Sequence, residues 1–190
     1  DATWGSLMVA ISPSRSTQPL EALRLLDVGG IQVGGPSTST GGLMASYLFD
    51  GNANDASGNG NDGTNNGVVW VNGVRGGAAQ FNGTSSAIEA KALPDSASAS
   101  FATWLFVTNL DSTLRVIFFE GDASGGHDFE LVLAANNHLL FATKDNTLLD
   151  YASVPLGHWF HCAGVADAAN HQMQLWIDGV KVVEQAFPGP

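Results

Sequence analysis

Trp159-Phe160-His161-Cys162-Ala163-Gly164-Val165 and, a little further on, Leu175-Trp176-Ile177-Asp178-Gly179-Val180 decide how this chain folds. Both runs are short, apolar and rich in aromatic or β-branched residues, which suit a pleated, half-buried surface. Asp178-Gly179 interrupts the second run with a pair that tolerates positive φ, so Leu175–Ile177 and the residues from Val180 read as two strands of a hairpin. Asn136-Asn137, between two other apolar runs, gives a second hairpin signal of the same kind.

The rest of the chain repeats this pattern. Candidate strands are Trp4–Ile11, Leu23–Val28, Met44–Phe49, Val68–Val71, Ala78–Phe81, Ala87–Ala90, Phe101–Thr108, Leu114–Phe119, Phe129–Ala134, His138–Thr143, Trp159–Ala166, Met173–Ile177 and Val180–Ala186. Gly, Asn, Asp, Ser or Pro clusters separate them at roughly 8–12 residues, the spacing of an all-β sandwich. Helical periodicity is nearly absent, and Leu20–Leu26 fits a strand as well as a helical turn. The composition break Gly34-Gly35-Pro36-Ser37-Thr38-Ser39-Thr40-Gly41-Gly42 reads as a flexible linker. It divides residues 1–33, too few to fold alone and expected to be strands that need a partner or the tail of a preceding domain, from a β unit over 43–190.

With 44% apolar residues in 190, the chain can build a core, and its 23 Gly and 7 Pro fall mainly between the runs. The net charge of −11 comes with only 7 Lys and Arg, scattered singly, so no basic stripe exists for nucleic acid and anionic membranes are repelled. No apolar run reaches the roughly 18 residues of a membrane span, so membrane insertion is not expected. Cys162 is the single cysteine, which rules out an intrachain disulfide and a Cys-rich metal site. A start at Asp1 rather than Met fits a processed product or a piece of something longer.

From Met44 onward the chain resembles the laminin G-like jelly rolls of the concanavalin A-like lectin/glucanase superfamily. Three stretches carry the resemblance: Ala45 through Thr64, with its Asn/Asp/Gly loop; Gln80-Phe81-Asn82-Gly83 followed by Ala87-Ile88-Glu89; and the two runs quoted at the outset. The resemblance implies an antiparallel two-sheet jelly-roll sandwich, preceded here by an extended N-terminal segment and the linker. Members usually continue beyond the Asp-Gly hairpin, whereas this sequence stops at Pro190. The expectation is therefore a truncated sandwich whose open edge is paired by the N-terminal segment or by a neighbouring subunit.

Asp50–Asn66 holds nine Asp or Asn and four Gly. Asp50, Asn52 and Asn54 alternate as the opening ligands of a calcium loop do, but Asp55 stands where such a loop wants Gly and Asn61 where it wants a bidentate Glu. Many relatives hold a structural calcium near the sandwich edge. Asp50, Asn52, Asp55 and Asp62 are the expected ligands, and a solvated turn region is the alternative. Sugar recognition lays an aromatic ring on the apolar face of a sugar while amides and carboxylates bond its hydroxyls. Trp70 with Asn72, Tyr151 beside Asp150, and His127-Asp128 are the expected ligand-binding residues, while Trp104 and Trp159, in strongly apolar runs, are expected in the core.

Glycoside hydrolysis needs two carboxylates astride the sugar. Glu120-Gly121-Asp122 begins like a glucanase motif and finds no second Glu in register, so no enzyme is expected. His158 and His161 fall on opposite faces of a strand and cannot pair on zinc. His161 and Cys162 read as buried residues, and Asn82-Gly83-Thr84, a glycosylation sequon, is also explained as a turn. The resulting expectation is a non-catalytic, lectin-like adhesion or carbohydrate-binding module of an extracellular, cell-surface or virion-surface protein, with a glycan or neighbouring subunits as partners. The alternative is a decoration, fibre or spacer module that binds no sugar.

Overall fold

The computed structural model describes residues 31–34, 43–90, 98–108, 114–121, 127–143 and 148–186. Its strands are β1 (Ile31–Gly34), β2 (Leu43–Tyr47), β3 (Thr64–Asn66), β4 (Val69–Asn72), β5 (Gly77–Gln80), β6 (Ala87–Glu89), β7 (Ala99–Phe106), β8 (Arg115–Gly121), β9 (His127–Ala134), β10 (His138–Thr143), β11 (Leu148–Tyr151), β12 (Trp159–Asp167), β13 (Gln172–Ile177) and β14 (Val180–Ala186). A six-stranded sheet in the order β14-β13-β12-β7-β1-β2 faces a four-stranded sheet, β11-β10-β9-β8, and the ribbons β3-β6 and β4-β5 flank them. Every pairing is antiparallel. This is the expected jelly-roll sandwich.

The core lies between the sheets because each central strand alternates. In β7, Ala99, Phe101 and Thr103 are buried while the residues between them are half-buried. Phe101 meets Phe118 of β8 at 5.5 Å and Phe141 of β10 edge-on at 5.1 Å, tying the two sheets together. Each ring buried this way contributes about 1.5–3 kcal/mol from its area alone. The trio fits only because position 164 of β12 lacks a side chain: a Cβ there would lie 2.2 Å from the Phe101 ring and 3.0 Å from that of Phe141. Phe160, Cys162, Met173 and Leu175 complete the layer from β12 and β13, fully buried.

Turn chemistry followed the sequence at one tip and departed from it at the other. Asp178 and Gly179 both have positive φ, 49° and 78°, as a two-residue primed turn requires. At Asn136-Asn137 the loop has three residues: Ala135–Asn137 form a short 3-10 turn, Ala134 pairs with His138, and only Asn137 is left-handed, at φ 66°. That is the longer hairpin loop in which a turn is closed by one αL residue.

Two strands were not foreseen, and a third is placed differently from the expectation. Thr64–Asn66 is polar and exposed throughout, so it carries no apolar alternation to read. Leu148–Tyr151 is a four-residue strand on the edge of its sheet. Ile31–Gly34, at the end of the N-terminal segment that was expected to pair with the sandwich edge, does pair with it but with both β2 and β7, and so lies inside the six-stranded sheet rather than along an edge. The expected strands Trp4–Ile11 and Leu23–Val28, linker residues 35–42, Asp122 and residues 187–190 lie outside the described residues.

Candidate functional site

The Asn/Asp loop folds back on β2 around one carboxylate. Asp55 Oδ1 accepts the Ser46 and Ser57 N–H groups, each at 2.9 Å, and Oδ2 accepts the Ser57 hydroxyl at 2.8 Å and the Asn61 N–H at 3.0 Å. Burial alone would raise the pKa of Asp55, but the bonds from Ser46, Ser57 and Asn61 outweigh it and hold the carboxyl below its ordinary value. Asp62 Oδ1 in turn accepts the Asp55 N–H at 2.7 Å. Tyr47 donates its hydroxyl to the Asn61 carbonyl, and burial, followed by the Asp55 and Asp62 charges, pushes its phenol upward.

This donor set does not fit calcium. A carboxylate offers about four lone-pair sites, and those of Asp55 are filled by four protein donors. Asn52 Oδ1 accepts the Asn54 N–H at 2.9 Å, and Asp50 Oδ1 is held in a short bond from the Gly77 N–H. Among the described residues no three acidic, His or Cys side chains converge as a metal site would require. Asn52, Asp55 and Asp62 thus hold backbone groups of their own loop and of β2, and Asp50 ties the start of the loop to β5. The alternate spacing expected for ligands is equally the spacing of side chains that cap successive turns.

The expected sugar residues are scattered. Trp70 faces inward from β4, stacked on Phe49 at 6.1 Å, and Phe49 continues to Tyr47 at 6.0 Å. Asn72 is exposed two residues further along β4. Tyr151, on edge strand β11, is half-buried against the core, while Asp150 beside it points outward and its carboxylate lies 2.6 Å from His138 Nδ1. His127 and Asp128 open β9, and their side chains lie outside the described residues.

Trp104 and Trp159, expected in the core, instead lie on the outer side of the six-stranded sheet with Phe106 and Trp176, while His161 beside them is buried as expected. Trp104 and Phe106 alternate with the core-facing residues of β7, Trp159 and His161 with those of β12, and Trp176 with those of β13. Register brings them together: Trp104 opposes His161, with rings at 5.4 Å, and Phe106 opposes Trp159 at 5.6 Å. Trp176 opposes Ala163 of β12, which opposes Ala102 of β7, so a single small residue separates Trp176 from β7 on this face. Across β7, β12 and β13 the face spans about 10 Å. Beside it, Trp176 Nε1 donates to Gln174 and Gln174 Nε2 donates to Gln172. Burial holds the His161 imidazole below its ordinary pKa, Asp178 partly opposing, so the ring is neutral near neutral pH. The missed signal was strict alternation: in Phe101-Ala102-Thr103-Trp104-Leu105-Phe106, a strand that buries Phe101 must turn Trp104 and Phe106 the other way.

A laminin G family, described as the concanavalin A-like lectin/glucanases superfamily, matches residues 76–190. The chain belongs to this superfamily. No curated protein matches it. The matched span contains the outer aromatic face and both hairpins of the sequence reading. Concanavalin A-like domains supply carbohydrate-binding and adhesion modules, and the superfamily also contains glucanases. In this member Glu120 is buried, opposite Phe129, and Glu130 opposes Phe119, so the two carboxylates point to opposite faces of the four-stranded sheet. They do not form the facing pair that glycoside hydrolysis needs. No described helix is long and apolar enough to cross a membrane.

Proposed function

We propose that this laminin G-like sandwich is a non-catalytic carbohydrate-binding or adhesion module on the exterior of a cell or particle, taking neutral polysaccharide on its outer aromatic face. The observation that supports this reading is the set Trp104, Phe106, Trp159 and Trp176, turned away from the core onto one sheet face. Indole rings give a sugar's C–H face a flat apolar surface, and the Gln172-Gln174 amides beside Trp176 offer donors and acceptors for hydroxyls. The chain's −11 charge and 7 basic residues favour a neutral over an anionic polymer. The test is retention on immobilised neutral polysaccharides. Wild type should bind, and Trp176→Ala should weaken binding by about tenfold. A wild-type chain that passes every such matrix unretained overturns the assignment.

A second reading has its own observation. Val69, Val71 and Val74, on or beside β4, are 59%, 38% and 39% exposed, an outward apolar ribbon opposite the inward Trp70. Such a ribbon suits a fibre, decoration or spacer module that packs against neighbouring subunits without binding sugar. The solution mass separates the two readings: an assembly that Val71→Lys dissociates favours the structural role.

A further inference from the structure

The Asn/Asp loop lies along β2, the outermost strand of the six-stranded sheet among the described residues, where unpaired backbone groups would otherwise face outward. In an antiparallel sheet alternate residues of an edge strand direct their N–H and C=O away from the neighbour. On β2 the loop meets the groups of Met44 and Ser46, alternate residues of that strand. The Ser46 N–H goes to Asp55 and the Ser46 carbonyl accepts the Ala56 N–H at 2.7 Å. The Met44 carbonyl accepts the side-chain amides of Asn59 and Asn61, both at 3.0 Å. Asp55 also opposes Tyr47 as a single antiparallel bridge. Every one of these segments is gathered by the Asp55 carboxylate, which holds Ser57 and Asn61 on either side of the Asn59 position.

We infer that the Asp55 carboxylate, rather than a bound cation, closes this loop, and that the closed loop seals the β2 edge against pairing with a second chain. The logic inverts that of a calcium loop. A cation gathers oxygen acceptors, whereas here an anion gathers N–H and O–H donors and leaves the loop's amides free to cover the strand. Neutralising the carboxylate therefore has two consequences: the loop loosens, and the Met44–Ser46 backbone becomes available to another strand.

The experiment uses the full chain, compared with Asp55→Asn and Asp55→Ala, each in calcium and in chelator. Wild type should melt at the same temperature in both buffers. Asp55→Ala should melt about 5–10 °C lower in both, the shift expected when a satisfied acceptor is removed from its donors. Light scattering below the melting point should show larger species for the variant than for wild type. Should neither variant fold, hydrogen exchange on wild type decides: the Ser46 amide should be protected equally with calcium and with chelator. A calcium-induced rise in wild-type melting temperature that Asp55→Asn abolishes, or Ser46 protection that chelator removes, overturns the inference.

Discussion

The Asn/Asp loop and the outer aromatic face are opposites in composition and exchange the roles their compositions suggest. The loop is dense in the oxygen atoms from which binding sites are made, yet its side chains are consumed by its own backbone. The face is built from apolar runs that resemble core, yet it turns Trp104, Phe106, Trp159 and Trp176 away from the core cluster. The difference shows that a residue type says what a side chain could bind, whereas strand parity and local turns decide whether it is still available. An Asp next to donors two and six residues away is already spoken for, and a Trp three residues from a buried Phe has no choice of face.

The sharpest way to break the comparison is on β12, where adjacent residues belong to the two worlds. Gly164→Ala drives a methyl into the Phe101 and Phe141 rings and should cost about 3 kcal/mol in denaturant unfolding, whereas Val165→Thr on the other face should cost about 0.5 kcal/mol. Equal costs would mean that both faces are core. Next in size is the contrast between two tryptophans. Trp70→Ala removes a ring stacked on Phe49 and should lower stability by roughly 2–3 kcal/mol with polysaccharide retention unchanged. Trp176→Ala should do the reverse, and calorimetry beside affinity measurement reads both.

Acid should separate the loop from the face. Asp55 has a folded pKa below its unfolded value, so its contribution is complete above the unfolded value and is lost as pH falls through the folded one, below about 3.8. His161 also has a lowered folded pKa, so the unfolded chain takes up its proton first and stability declines as pH falls from its unfolded value, about 6.5. Urea midpoints measured from pH 8 to pH 3 should therefore fall in two stages. Asp55→Asn should erase the lower stage and His161→Gln the upper, the smaller change of the two. A single stage unaffected by either variant would detach both groups from the fold's acid response.

The sandwich itself was legible because β strands announce themselves through alternation and turns. His138–Thr143 and Val180–Ala186 fall where the apolar runs placed them, and Asp178-Gly179 adopts the backbone its residue types allow. What could not be read was anything set by tertiary partners. Thr64–Asn66 is a strand only because Ala87–Glu89 lies beside it. Ile31–Gly34 gave no hint that it would be inserted between β2 and β7. For the candidate site, Trp104 and Trp159 lie in runs whose neighbouring hydrophobicity is the same on both faces of a central strand, so strand parity alone separates them from the core.

The Asp178-Gly179 tip carries one more consequence. Asp178 accepts the His161 N–H at 2.8 Å and donates its own N–H to the His161 carbonyl at 2.9 Å, and the His161 ring lies edge-on to Trp104. One residue, His161, therefore joins the hairpin tip through its backbone to an indole on β7 through its ring.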